Sequence, residues 1–155
     1  MNIEPELPEF NTIRVVGKCQ LLIQKGESPE VSISSKRSGI DTKFEVRDNE
    51  LLIDAIPFND NGSDRPLPKI TITYTKIRSI ILTGAIDLYT CNKITGHTFS
   101  LILNGTGNVV LTVEVENLDC TIVKAGTIRV FGNAVNSLIM LLGAGNYQML
   151  PLKNS

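Results

Sequence analysis

The sequence predicts an all-β chain made of stacked coils of about 19–23 residues, and three observations carry that reading. The first is a repeat. Gly84, Gly107, Gly126 and Gly145 each stand four residues after an aliphatic residue (Ile80, Leu103, Ile122, Leu141) and two before another apolar one, at spacings of 23, 19 and 19 residues. The second is alternation. Ile86-x-Leu88, Val109-x-Leu111, Ile128-x-Val130 and Tyr147-x-Met149 place an apolar side chain at every second position, as a strand with one buried face does. The third is composition. The apolar residues, 42% of 155, are mostly Ile, Leu and Val, which suit a pleated, half-buried surface, and twelve glycines disfavour helix. A repeat near twenty residues with strand alternation buries its apolar face only against its neighbours.

Residues 1–9 read as an N-terminal extension and 10–152 as one domain, short enough to share a single core. Strand runs open at Phe10, Ile13 and Val15, and continue through Leu21–Ile23, Val31–Ile33, Phe44–Val46, Leu51–Ile53 and Ile70–Tyr74. Turn signals at Lys25-Gly26, Ser38-Gly39 and Asp48-Asn49 separate them. Arg14, Gln24, Ser32, Ser34, Glu45 and Arg47 alternate with the apolar residues, so one face is wet. Residues 57–69 hold three prolines and Asn61-Gly62, which exclude a continuous strand or helix and predict a projecting loop. Further on, Phe99, Leu101 and Leu103 should stack on Leu118, Cys120 and Ile122, and these on Ile139 and Leu141. Past the glycines, Ile86, Val109, Ile128 and Tyr147 form one predicted column and Leu88, Leu111, Val130 and Met149 a second. The glycines are expected at a corner of positive φ or close backbone approach, Gly126 among them. The last coil, ending Tyr147–Leu152, carries no amphipathic cap, so a second copy or a partner is expected to cover that end.

The ordered set Phe10-x-x-Ile13-x-Val15-x-Gly17, Leu21-x-Ile23-x-Lys25-Gly26, Asn49-Glu50-Leu51-Leu52-Ile53, Ile70-x-Ile72-x-Tyr74, Thr83-Gly84, Gly105-Thr106-Gly107-Asn108, Ala125-Gly126-Thr127 and Gly143-Ala144-Gly145-Asn146 resembles one bacterial family. That family is the GIN-type head domain named for autotransporter adhesins, and the resemblance covers about residues 10–149. Lys124 and Leu82 depart from its pattern and loosen two corners without changing the period. The resemblance implies a right-handed β-solenoid exported to the periplasm or cell surface of a bacterium. It brings no catalytic residues.

Charge narrows the partners. Fifteen basic against 16 acidic residues give a net charge of −1, with no basic run interleaved with aromatics, so nucleic acid is not an expected partner. No run of eighteen apolar residues predicts a transmembrane segment. The acidic, proline-bearing start Met1–Glu9 is unlike a signal peptide, which leaves a cytoplasmic protein or a trimmed form of a longer precursor.

Each candidate site has a plainer reading that prevails. Gly105-x-Gly107 lacks the third glycine of a dinucleotide fingerprint, where Val110 stands, and reads as a corner. His97, after Gly96, reads as an exposed turn residue with no nucleophile at motif spacing. Asn59, Asp60, Asn61 and Asp64 are oxygen-rich but lack the order of a calcium loop, so a solvated loop is expected. Cys19, Cys91 and Cys120 do not have zinc-site spacing; Cys120 points inward, and one disulfide would leave a free thiol. Glu114 and Glu116 share a strand face that Asp87 or Asp119 could approach, the one arrangement here suited to glycoside chemistry. With no Trp platform, a solvated outer face is the stronger reading. No catalytic, cofactor or metal residue is therefore assigned. The expected function is non-catalytic binding of a surface protein or glycan. The alternatives are a self-assembling structural unit that forms homo-oligomers through its coil ends, and a carbohydrate-active enzyme.

Overall fold

The computed structural model describes residues 7–33, 43–55 and 69–150, and these are all-β with no helix among them. The ten strands are β1 (Thr12–Lys25), β2 (Glu30–Ile33), β3 (Lys43–Arg47), β4 (Glu50–Ala55), β5 (Lys69–Tyr74), β6 (Ser79–Thr90), β7 (Ile94–Thr106), β8 (Asn108–Ile122), β9 (Thr127–Leu141) and β10 (Asn146–Leu150). They form one sheet in the order β10-β9-β8-β7-β6-β1-β4-β3, with β5 paired to both β1 and β2. Ser34, the Ser38-Gly39 signal and the proline-rich segment lie outside the described residues, except that Lys69 already begins β5.

From β6 to β10 every pairing is parallel, and after the first step the register is constant. Ile80 faces Leu101 and Leu88 faces Val109, each 21 residues on. After that the step is 19: Ile94 faces Val113, Val109 faces Ile128, and Ile128 faces Tyr147. Because a side chain keeps its face only when register shifts by an even number, this repetition lays like on like. Phe99 stacks on Leu118, Leu101 on Cys120 and Leu103 on Ile122, as the sequence predicts. All six are buried, and the buried residues make one contiguous cluster from Phe10 to Val130. Leu141 departs from its predicted inward role: it pairs with Ile122 but stays 47% exposed, because no further strand covers it among the described residues.

The glycines stack differently from the predicted column. Gly17, Gly84 and Gly105 are the ones in register, each with positive φ inside a strand, where the chain turns a corner without leaving the sheet. At Gly84 φ is +126° and a Cβ would sit 2.1 Å from the Gly17 carbonyl oxygen, so only glycine fits. Gly107 is therefore not the partner of Gly84. The first step is 21 rather than 23 residues, and Leu88, not Ile86, lies beside Val109. Gly126 does not have the positive φ expected of it; a side chain there would instead strike Leu103 Cδ2 at 2.3 Å.

A second corner passes through Thr98, Asn117 and Asn136, which are in register while the residues just before them are not paired. One extra residue there flips the alternation from Val113 and Val115 to Leu118 and Cys120, all buried. Asn136 Nδ2 donates to Asn117 Oδ1 at 3.0 Å, linking β9 to β8 at this point.

The two ends differ. At one, antiparallel β2 and β3 cover β5 and β4, and β3 turns into β4 through Asp48 and Asn49 at φ 53° and 66°. Two central residues of positive φ make the tight primed turn that matches strand twist, and Asp and Asn tolerate it. At the other end, the Gly132–Leu141 half of β9 pairs with β8 on one side and with no strand on the other among the described residues.

Candidate binding surface

The outward flank of β7, β8 and β9 carries the sequence's strongest candidates. Glu114 and Glu116 are both exposed, about 7 Å apart along the strand at roughly 3.3 Å per residue. Each already has a basic side chain beside it from the neighbouring strand's end of the sheet: Lys93 Nζ donates to Glu114 Oε1 at 3.1 Å, and His97 Nδ1 contacts Glu116 Oε2. The other two carboxylates do not join them. Asp87 lies at the far end of the same flank and accepts from the Asn108 backbone N–H at 2.9 Å; Asp119 lies past the Asn117 corner. The four never converge around one bond, so the paired acid and base of a glycosidase are not assembled from them.

His97 is exposed as expected, but it stands in β7 rather than in a turn, as the extra residue of the second corner above Glu116. Gly105 and Gly107 sit within or beside strands, and no helix follows them among the described residues. Asn59, Asp60, Asn61 and Asp64 lie outside the described residues. Among those described, no group of three His, Cys, Asp or Glu is placed to hold a metal. The three cysteines are free thiols. Cys91 is exposed; Cys19 and Cys120 are buried, and burial pushes both thiols up to about 12, with Asp87 and Asp119 adding to it respectively.

The sequence did not point to a cleft of about 460 Å³ where three layers of the sheet end together. It is lined by Lys25 at the end of β1, by the 75–78 turn with Lys76 and Arg78, and by Lys93, Thr95 and His97 at the start of β7. The Lys25 backbone N–H, bonded to Asn92 Oδ1 at 2.9 Å, ties the first of these segments to the last. Also missed was an apolar patch on the open half of β9 and just beyond it: Val135, Leu138, Met140, Leu141 and Leu142 are 45–76% exposed. The unbroken run Leu138-Ile139-Met140-Leu141-Leu142 violates strand alternation, and that was its signal.

With this geometry in hand, the chain falls into a known group. It belongs to the family described as "Putative auto-transporter adhesin, head GIN domain", whose model matches residues 9–155. Among solved structures it is similar to a putative adhesin of Bacteroides fragilis, at 16% identity, 94% coverage of both chains and a TM-score of 0.50. A putative cell adhesion protein of Clostridium sporogenes is also similar, at 12% identity, 97% and 96% coverage and a TM-score of 0.47. At these identities the first likeness concerns the fold alone. No curated protein matches the chain. No helix among the described residues is long and apolar enough to cross a membrane.

Proposed function

We propose that this protein is a non-catalytic binding module of the bacterial cell envelope, in the periplasm or at the cell surface, that holds a surface protein or glycan. Its frame is a right-handed β-solenoid with residues 10–152 as the single domain. The constant 19-residue parallel register supports that frame, since each coil then lies on the next. The observation that carries the binding reading is the outer flank. Register lays Thr95 beside Glu114 and Glu114 beside Asn133, and Lys93–Glu114 and His97–Glu116 contacts flank that row, so polar side chains stand at fixed positions. Such a rigid polar surface recognises a partner without rearranging. Family membership adds adhesion as the context. The test is retention of the protein on an array of bacterial and host glycans and surface proteins. Retention of the parent, with no new reducing ends or unsaturated products from it or from Glu114→Gln and Glu116→Gln, is the expected result. Turnover abolished by either substitution would replace this reading with an enzyme.

A second reading, self-assembly, has its own observation. The Gly132–Leu141 edge of β9 is ten residues without a charge, next to exposed Leu142. The opposite end is guarded by short strands carrying Lys43, Glu45 and Arg47, the devices that prevent edge pairing. Copies would therefore meet open end to open end, in a closed two-fold dimer. The five exposed side chains offer roughly 500 Å² per copy, the scale of the largest patch on a typical monomer and about 1,000 Å² when paired, at the low end for a specific contact. Light scattering should give a dimer that Leu138→Lys with Met140→Lys converts to monomer; a monomeric parent at micromolar concentration contradicts it.

A further inference from the structure

We infer that the cleft beneath the 75–78 turn is the ligand site and that its ligand is an anionic polysaccharide, carboxylated or sulfated; this rests on the binding-module reading. The chain is nearly neutral as a whole, yet Lys25, Lys76, Arg78 and Lys93 line one cleft that no carboxylate lines. Lys25, Lys76 and Arg78 are exposed and have no ion-pair partner among the described residues. Two acids at its edge are matched to basic side chains, Glu114 to Lys93 and Glu116 to His97, while Glu9 contacts the neutral Thr75 hydroxyl. Three cations therefore remain to meet an anion, in a concave site where their fields add.

Size and spacing select the ligand. At about 460 Å³ the cleft lies within the range of small-molecule sites. Its cations are spread over layers from β5 and β1 to β7, a span of roughly 10–15 Å at about 4.8 Å per strand. That span suits charges on successive sugars better than a single phosphate. Its apolar members, Tyr74 and Ile77, are buried, so no side chain is offered for insertion into a lipid surface. The half-exposed Tyr89 lies outside the lining, so no aromatic platform is offered to a nucleobase.

The experiment compares the full chain with Lys76→Glu/Arg78→Glu, and with Arg129→Glu as a charge control outside the cleft. The probes are heparin, a polyuronate, uncharged dextran and single-stranded DNA, at low and high salt. Both polyanionic sugars should bind at low salt and release at high salt, and the double variant should bind them at least roughly tenfold more weakly, two exposed charge contacts having been reversed. Arg129→Glu should bind like the parent. All of the substituted side chains are exposed, so unchanged melting of each variant separates loss of site from loss of fold. Equal affinity of parent and double variant overturns the cleft. Binding of dextran alone, or tighter binding of DNA, overturns the ligand class and leaves the binding module standing. Shortened sugar products overturn the module itself.

Discussion

Gly84→Ala should cost at least about 3 kcal/mol and lower the melting temperature by roughly 10 °C, if the variant folds at all. Two penalties coincide there: a φ of +126° that side chains rarely adopt, and a Cβ placed 2.1 Å from the Gly17 carbonyl oxygen. That oxygen belongs to the backbone of the neighbouring strand, so the clash cannot be relieved by a rotamer change. Gly96→Ala is the control. It shares the positive φ, at +150°, but its Cβ would meet nothing within 4 Å, so about 1 kcal/mol is expected. Gly126→Ala should fall between: its Cβ would meet the Leu103 side chain at 2.3 Å and the Gly107 carbonyl oxygen at 3.2 Å, but it carries no φ penalty. Thermal melts of the three variants check the ranking; equal melting of Gly84→Ala and the parent would show that the corner yields.

Phe99→Ala should destabilise by about 3–5 kcal/mol. Phe99 is fully buried and lies just past the second corner, paired with Leu118 of β8. Its removal leaves a cavity in a layer whose neighbours are pinned by strand pairing on both sides and cannot collapse inward. Leu22→Ala, at a position 39% exposed, should cost far less. A denaturant titration gives both values; a Phe99→Ala loss no larger than that of Leu22→Ala would mean the core is not tightly packed.

The inward faces were legible in the sequence because strand alternation has a period of two and the coil period repeats it. Phe99, Leu101 and Leu103 could thus be placed on Leu118, Cys120 and Ile122 without coordinates. The same periodicity hid the register of the first step. Gly105 and Gly107 are two residues apart, and a shift of two preserves every buried face, so 21 and 23 fit the pattern equally. The close approach of the Gly105 backbone to Gly84, which no side-chain pattern records, goes with the 21-residue step. The second corner was readable in the change of phase between Val115 and Leu118, where one extra residue is accommodated beside Asn117. The cationic cleft was not readable. Lys25, Lys76 and Lys93 lie far apart in sequence and meet only because three layers end at one place. Net charge, being a sum, concealed them.

The central claim is that the protein binds without chemistry, and the most direct measurement is made on the ligand. A glycan captured by the protein is held through prolonged incubation, with and without calcium, then released at high salt and weighed by mass spectrometry against the input. An unchanged mass distribution is the predicted result. Shortened or unsaturated chains, formed by the parent and not by Glu114→Gln or Glu116→Gln, would contradict it.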